Sequence, residues 1–215
     1  MENLIYILFV SVFVPILLMA LLIEKKSRIP ISFMLVGIFI SVFAAEINGV
    51  FQNALSMDVF EFTVIITPIT EEILKALPIL IYATMVSDKK ETLFTAAMAI
   101  GIGFAVLENA FYLLNDYSFN MFDAIIRAFG TGLMHGMCTL LVGVGISFAK
   151  KKRKIFIVGV FALLSTAITY HGIYNMLVQS SYEGIGFCLP IITYIPFLVW
   201  RFKLKYKNNK GAVKK

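Results

Sequence analysis

Apolar residues occur along most of the chain in continuous runs of about twenty, separated by short polar or basic segments. Because an α-helix rises about 1.5 Å per residue, a run of roughly this length crosses a hydrocarbon core about 30 Å thick. The runs do not alternate, and backbone groups in lipid must be satisfied within the segment, so helices are predicted rather than barrel strands. Seven helices are predicted, at about residues 3–23, 30–52, 61–86, 92–114, 121–148, 155–178 and 185–201.

The basic residues predict how these helices are oriented. All but two of the 19 lysines and arginines follow the first, third and fifth predicted helices or lie at and beyond the end of the last one. The connections after the second, fourth and sixth predicted helices, at 53–59, 115–120 and 179–184, contain no lysine or arginine. Since basic residues accumulate in cytoplasmic loops, we expect the N-terminus outside and the basic tail, residues 203–215, in the cytoplasm.

Composition agrees with a membrane location. The chain is 60% hydrophobic and 15% charged, with a mean hydropathy of +0.87, which is too apolar for a soluble domain. We therefore predict an all-α polytopic membrane protein, with residues 1–202 as one transmembrane domain. The net charge of +6 is assigned to contact with anionic lipid head groups, and no nucleic-acid partner is expected. The first apolar run lacks a positive n-region and a small-residue cleavage site, so it is interpreted as a retained helix.

Three charged residues lie inside the third apolar run: Glu71, Glu72 and Lys75. Charge within a bilayer is costly, and intramembrane carboxylates usually mark functional sites. Lys75 is four residues from Glu71 and three from Glu72, so it can reach either carboxylate on one helix face. One glutamate is predicted to be held ionised while the other serves as a general base. A structural ion pair that locks helices together is the alternative.

Further polar residues lie inside the next three predicted helices. Glu108 follows Phe104 by four residues and precedes Asn109; Arg127, Thr131 and His135 also recur at steps of four, as do His171 and Asn175. Arg127 is equally suited to anchoring its helix at the outer interface. Glu46, with Asn48 and Gln52 nearby, is a supporting candidate. Counted from the helix ends, the site candidates lie centrally or in the outer half, so we expect one shared water-filled cavity.

Taken together, these motifs resemble the PrsW family of intramembrane proteases, within the superfamily of CAAX prenyl endopeptidases and bacteriocin-processing proteins. The resemblance rests on Glu71-Glu72-x-x-Lys75, Phe104-x-x-x-Glu108-Asn109, the histidine of the fifth helix and His171-x-x-x-Asn175. CAAX-type relatives have EExxxR, FxxxH and HxxxN. This chain has Lys75 one position early and Glu108 in place of the first histidine, and His135 is available to supply an imidazole.

The resemblance implies an enzyme that hydrolyses a peptide bond of a membrane-associated protein or peptide, using water activated by glutamate. Glu71 is then the likeliest base by position and Glu72 its partner. Glu108 and His135 would polarise the reacting groups, His171 and Asn175 would donate to the oxyanion, and Lys75, Asn109 and Arg127 would support them. Zinc bound by His135 and His171 with Glu72 or Glu108 is left open. PrsW-type enzymes cut anti-sigma factors on the outer side of the cell membrane, so site-1-type cleavage is expected; a prenylated peptide substrate is the alternative within the superfamily.

Two other functions fit the same residues. A proton- or ion-coupled transporter or channel would use the intramembrane glutamates and histidines as a relay, although the sequence shows no matching halves. A non-catalytic scaffold would bind peptides in the same cavity. Cys138 and Cys188 lie in predicted helices without a CxxC motif and are expected to be packing residues.

Overall fold

The computed structural model describes residues 4–22, 25–115, 121–148 and 153–212. These residues form seven α-helices and no strands: α1 (Leu4–Leu22), α2 (Lys25–Leu55), α3 (Val59–Met85), α4 (Lys90–Asn115), α5 (Met121–Ile146), α6 (Arg153–Val178) and α7 (Glu183–Ala212). Each helix covers one predicted apolar run, which confirms the all-helical prediction for the described chain. Most of the predicted basic connection after α5 and the end of the tail, 213–215, lie outside these ranges.

Within the described residues, four helices are long and apolar enough to cross a membrane, judged by length and composition: Ser27–Leu55, Lys90–Leu114, Ala124–Ile146 and Ile157–Val178. The chain is therefore a multi-pass membrane protein. Helix α3 is 27 residues long, but its hydropathy is lowered by Glu61, Glu71, Glu72 and Lys75. That all seven helices cross the bilayer, and that the N-terminus lies outside, stay predictions.

The helices pack around α4, which lies between α2 and α5. Helix α6 packs against both α5 and α3, and α7 covers α5 and α6. The core between these helices is apolar and includes Ile79, Leu93, Ile100, Leu107, Met134 and Val142. Helix α3 packs against α6, α2 and α5 and less closely against α4, and a cavity remains beside its charged face.

Helix α3 has an apolar outer face and a charged inner face. Five apolar side chains spaced four residues apart are exposed, as lipid-facing positions would be: Ile65, Ile69, Ile73, Leu77 and Ile81. The opposite face buries Glu71, Glu72 and Lys75. Because the polar face points into the protein, the surrounding helices must supply partners for these charges.

Two glycines of α4 allow the close approach of its neighbours. A Cβ atom at Gly101 would overlap the backbone carbonyl of His135 on α5, and a Cβ atom at Gly103 would overlap the backbone of Met34 on α2. Small residues at such contacts are typical of membrane helices that pack closely. Gly101 therefore sets the distance between α4 and α5 at the level of His135.

Replacing Gly101 with alanine is expected to push α5 away from α4 and to lower the stability of the protein by about 1–3 kcal/mol, as overpacking does. The apparent melting temperature of the detergent-solubilised protein should fall by several degrees. Gly132→Ala on α5 is the matched control, because no atom lies within 4 Å of its added Cβ. Equal melting temperatures for the two variants would contradict this account of the α4–α5 contact.

Candidate functional site

The charged face of α3 is bound to α5 and α6 through Glu72 and Lys75, both of which are fully buried. Lys75 Nζ donates to Glu72 Oε1 at 2.7 Å and lies 2.8 Å from His135 Nδ1. The same Glu72 oxygen lies 2.9 Å from His171 Nδ1. Lys75 Nζ is also 4.5 Å from the centre of the Phe104 ring, close enough for a cation–π interaction. A single buried lysine thus joins three helices at one point.

These contacts determine the hydrogen positions on both histidines. An ammonium group only donates, so His135 Nδ1 accepts from Lys75 and its Nε2 carries the hydrogen. That Nε2–H donates to Glu108 Oε2 at 2.5 Å. His171 donates from Nδ1 to Glu72, which leaves its Nε2 as an acceptor. The two imidazole rings are nearly perpendicular, with centres 4.9 Å apart.

Like Glu72, Glu71 has one carboxylate oxygen that makes no hydrogen bond among the described residues. Its side chain is buried, with 7% of its surface exposed, and Oε2 has no hydrogen-bond partner among the described residues. This oxygen lies 3.8 Å from His171 Nε2, which is too long for a direct hydrogen bond. Both atoms are therefore available to a third polar group.

The site forms one wall of a cavity of about 390 Å³. Glu71 and Glu108 line the cavity, whereas Glu72, Lys75 and His135 lie behind them. The wall also includes residues from the last turn of α2, the first turn of α3 and the C-terminal end of α6, such as Gln52, Thr63 and Gln179. The cavity therefore lies in the half of the bundle nearest the α2–α3 and α6–α7 connections, which the basic residues predict to be the outer half.

Three residues can converge on a metal ion. Glu71, His135 and His171 each offer a ligand atom within 4.8 Å of the others'. Two imidazoles and one carboxylate form a ligand set that zinc uses in catalytic sites. Glu71 and His171 fit this role as they stand, because Glu71 Oε2 lacks a partner and His171 is oriented through Nδ1 by Glu72. His135 must first exchange its hydrogen bonds, because an Nε2 that binds a cation carries no hydrogen for Glu108, and a neutral ring then has its hydrogen on Nδ1, which faces Lys75.

The predicted metal sites used Glu72 or Glu108 as the carboxylate. In the structure Glu72 accepts from Lys75 and His171, and Glu108 accepts from His135. Oε2 of both Glu71 and Glu72 has no partner among the described residues, but Glu71 lines the cavity and Glu72 does not. The choice among these three carboxylates stays a prediction.

The supporting residues predicted from the sequence lie in different places. Asn175 lines the cavity and donates from Nδ2 to the Thr63 backbone oxygen at 2.9 Å. Arg127 also lines the cavity, with its guanidinium carbon 4.2 Å from the centre of the Tyr112 ring. Asn109 is buried but does not line the cavity.

Helix α2 contributes two of its three predicted polar residues to the cavity. Asn48 and Gln52 line it, whereas the side chain of Glu46 is exposed. Asn48 Oδ1 accepts from the hydroxyl of Thr70, the residue that precedes the paired glutamates. This hydrogen bond joins α2 to α3 beside the site.

Sequence reasoning did not assign a role to Tyr174. Its ring is buried against the cavity and its hydroxyl is 2.7 Å from the hydroxyl of Thr131 on α5. The signal was present in the spacing, because residues three and four positions after His171 share its helix face. Tyr174 and Asn175 both follow that rule.

A sequence model of the PrsW family of intramembrane metalloproteases matches residues 25–201. The match covers α2 to α6 and most of α7, and so includes every residue of the candidate site. No curated protein and no solved structure matches the chain.

Proposed function

The chain belongs to the PrsW family of intramembrane proteases, and from this premise we propose that it hydrolyses a peptide bond of a membrane-associated protein at the Glu71 side of the cavity. The observation that carries the proposal is the pairing of Glu71 Oε2 with His171 Nε2. Both are buried acceptors, they lie 3.8 Å apart at the cavity wall, and Oε2 has no other partner among the described residues. Two acceptors so placed suit a bound water molecule or a cation.

Glu71 is the proposed general base. Its carboxylate takes a proton from the attacking water as the new bond to the carbonyl carbon forms, and returns that proton to the amide nitrogen as the C–N bond breaks. Glu108 is the second carboxylate at the cavity and is held by His135. It can take over the proton transfer when Glu71 is engaged as a ligand.

Asn175 and His171 are the proposed donors to the oxyanion. Asn175 uses one Nδ2 hydrogen for the Thr63 carbonyl and has a second one to donate. His171 becomes a donor to an oxyanion only when both ring nitrogens carry hydrogen, since its Nδ1–H is directed to Glu72. A neutral site therefore relies first on Asn175.

Glu71, His135 and His171 are the residues that would hold a zinc ion. Bound there, zinc would polarise the scissile carbonyl and activate water. Glu72 would then orient His171 from behind, as a carboxylate does for many zinc-bound histidines. The buried Lys75 would offset the charge of Glu72.

We place the enzyme in the cell membrane with its cavity in the outer half, so that it cuts next to the outer surface of a single-pass protein. An anti-sigma factor is the proposed substrate class, by resemblance to the family. A transporter is less well supported, because the linked ionisable residues begin at Glu108 and end at Glu71 on the same cavity. Among the described residues they do not lead to the opposite face.

Activity and metal content can be tested together in proteoliposomes. The probe is a pool of single-pass model proteins that carry a randomised segment on each side of the membrane, with fragments identified by mass spectrometry. We expect cuts near the outer surface only, loss of cutting after exhaustive chelation, and recovery with zinc. Purified protein should hold about one zinc per chain, and His171→Ala should hold much less.

Cys188→Ser is the control for the metal measurement, since Cys188 is exposed and lies outside the cluster. Proteolysis that survives chelation, in protein without stoichiometric zinc, would exclude the metal-dependent form and leave the glutamate-dependent one. Cuts on the inner side only would show that the proposed orientation is wrong.

A further inference from the structure

One face of α2 forms the wall of the cavity opposite the charged residues of α3. Its five lining residues occur at positions i, i+4, i+7, i+8 and i+11, which lie on one helix face: Ser41, Ala45, Asn48, Gly49 and Gln52. Ser41, Ala45 and Gly49 are small residues, so this wall projects little into the cavity. Ala45 and Gly49 are exposed although they lie within the length of a helix, and no atom lies within 4 Å of a Cβ added at Gly49. The space beside α2 is therefore open at Gly49, while the hydrogen bond from the Thr70 hydroxyl to Asn48 Oδ1 joins α2 to α3 at the preceding residue.

The polar groups along this space are mainly neutral amides and hydroxyls. Gln179 accepts from the Thr63 hydroxyl at 3.0 Å and donates to the Asn175 backbone oxygen at 3.0 Å. Asn48 and Gln52 present further carboxamides from α2. Each carboxamide can both donate and accept, as a peptide group does. Such a lining suits a ligand that offers unpaired backbone N–H and C=O groups.

The same cavity contains a carboxylate oxygen that has no hydrogen-bond partner among the described residues. Glu71 is more than nine-tenths buried, lines the same cavity, and has an oxygen without a partner among the described residues. A chain that lies along the α2 face therefore passes the candidate base. Charge complementarity also favours a neutral backbone here rather than an acidic ligand, because two carboxylates, Glu71 and Glu108, line the cavity with one guanidinium, Arg127.

We propose that the α2 face formed by Ser41, Ala45, Asn48, Gly49 and Gln52 is a binding groove for an extended peptide segment of the substrate. The inference rests on the proposed function and specifies how that site takes its substrate. A helical segment satisfies its own backbone groups and offers none to the carboxamides, whereas an unwound segment offers both N–H and C=O. The substrate is thus a chain that is extended, or easily unwound, where it crosses the outer half of the bundle.

Gly49→Leu tests the groove by filling it. Because the added side chain meets no atom within 4 Å at its Cβ, we expect an unchanged melting temperature. Cleavage of the model-substrate pool should fall by about tenfold or more in kcat/KM, mainly through a higher KM, since the groove binds substrate without taking part in the chemistry. Gly159→Leu on α6 is the matched control, because its Cβ position is also open and Gly159 does not line the cavity.

Binding can be measured separately from hydrolysis in the inactive Glu71→Gln protein. A diazirine amino acid in place of Val178, which lines the cavity from α6, is activated in the presence of one of two single-pass peptides. The peptides differ only in the segment at the outer interface, which is alanine-rich in one and interrupted by proline in the other. We expect a severalfold higher cross-linked yield for the proline peptide, and loss of that yield when Gly49→Leu is added.

Equal cross-linking yields for the two peptides, or an unchanged yield in Gly49→Leu, would show that the α2 face does not bind an extended substrate segment. If the wild type cleaves the pool and Gly49→Leu cleaves it equally well, the groove is wrong and the peptidase proposal stands. Selective cross-linking without cleavage by the wild type would instead support the groove and count against the proposed chemistry.

Discussion

Replacing Glu71 with glutamine is expected to lower kcat/KM for proteolysis by about 10²–10⁴-fold, the usual contribution of a general base. The substitution keeps the size and shape of the side chain and removes the carboxylate whose Oε2 lies at the cavity wall without a partner among the described residues. Because that oxygen makes no hydrogen bond to lose, the melting temperature should stay the same or rise. Activity and stability are expected to respond in opposite directions, as they often do at catalytic residues.

Glu72→Gln, in contrast, is expected to lower the stability of the protein. Glu72 Oε1 receives both Lys75 and His171, so its loss leaves a buried ammonium group without its counter-ion. We expect a clearly lower melting temperature, measured alongside proteolysis of the same substrate pool. Glu61→Gln, at an exposed position on the same helix, is the control and should change neither quantity. If Glu71→Gln retains wild-type proteolysis, Glu71 is neither the base nor a required metal ligand.

The helices could be predicted almost completely from the sequence, because the bilayer fixes the length of an apolar run. Helix α3, predicted at 61–86, is observed at Val59–Met85, and α6, predicted at 155–178, at Arg153–Val178. The end of α7 was placed too early. The basic residues after 201 end the apolar run, but lysine and arginine are good helix formers and the helix continues to Ala212.

The sequence predicts residues of the candidate site but not which of them form hydrogen bonds with each other. Lys75 can reach Glu71 and Glu72 equally well by spacing, and only the positions of α5 and α6 decide that it binds Glu72 and His135. The placement of His135 beside Glu108 depends on the close approach of α4 and α5 at Gly101, and a glycine predicts that some helix approaches closely without specifying which one.

Helix rotation explains which predicted supporting residues reach the cavity. Asn109 follows Glu108 directly, and one residue turns the helix by about 100°, which takes the Asn109 side chain away from the wall that Leu107 and Glu108 line. Asn175 follows His171 by four residues and does share its face. The part that α2 plays in lining the cavity could not be predicted for another reason. Its lining residues are partly small ones, whose importance lies in the space that they leave.

Replacing Lys75 with methionine is expected to lower the stability of the protein more than any other single change considered for this site. Lys75 is fully buried, and its removal leaves Glu72 without its cation and His135 without a donor to Nδ1. Breaking a buried ion pair costs about 3–5 kcal/mol, which corresponds to a fall in melting temperature on the order of 10 °C for a protein of this size. Thermal unfolding of the purified protein in detergent measures the effect.

The double variant Lys75→Met/Glu72→Gln separates the ion pair from simple packing. With the Glu72 carboxylate also neutralised, Glu72 no longer carries a buried charge without its cation, so the double variant should be more stable than Lys75→Met alone. Lys89→Met, at an exposed position, is the control and should leave the melting temperature unchanged. If the double variant is instead destabilised by the sum of the two single changes, Glu72 and Lys75 act independently. The buried pair would then not be what holds α3 in place against α5 and α6.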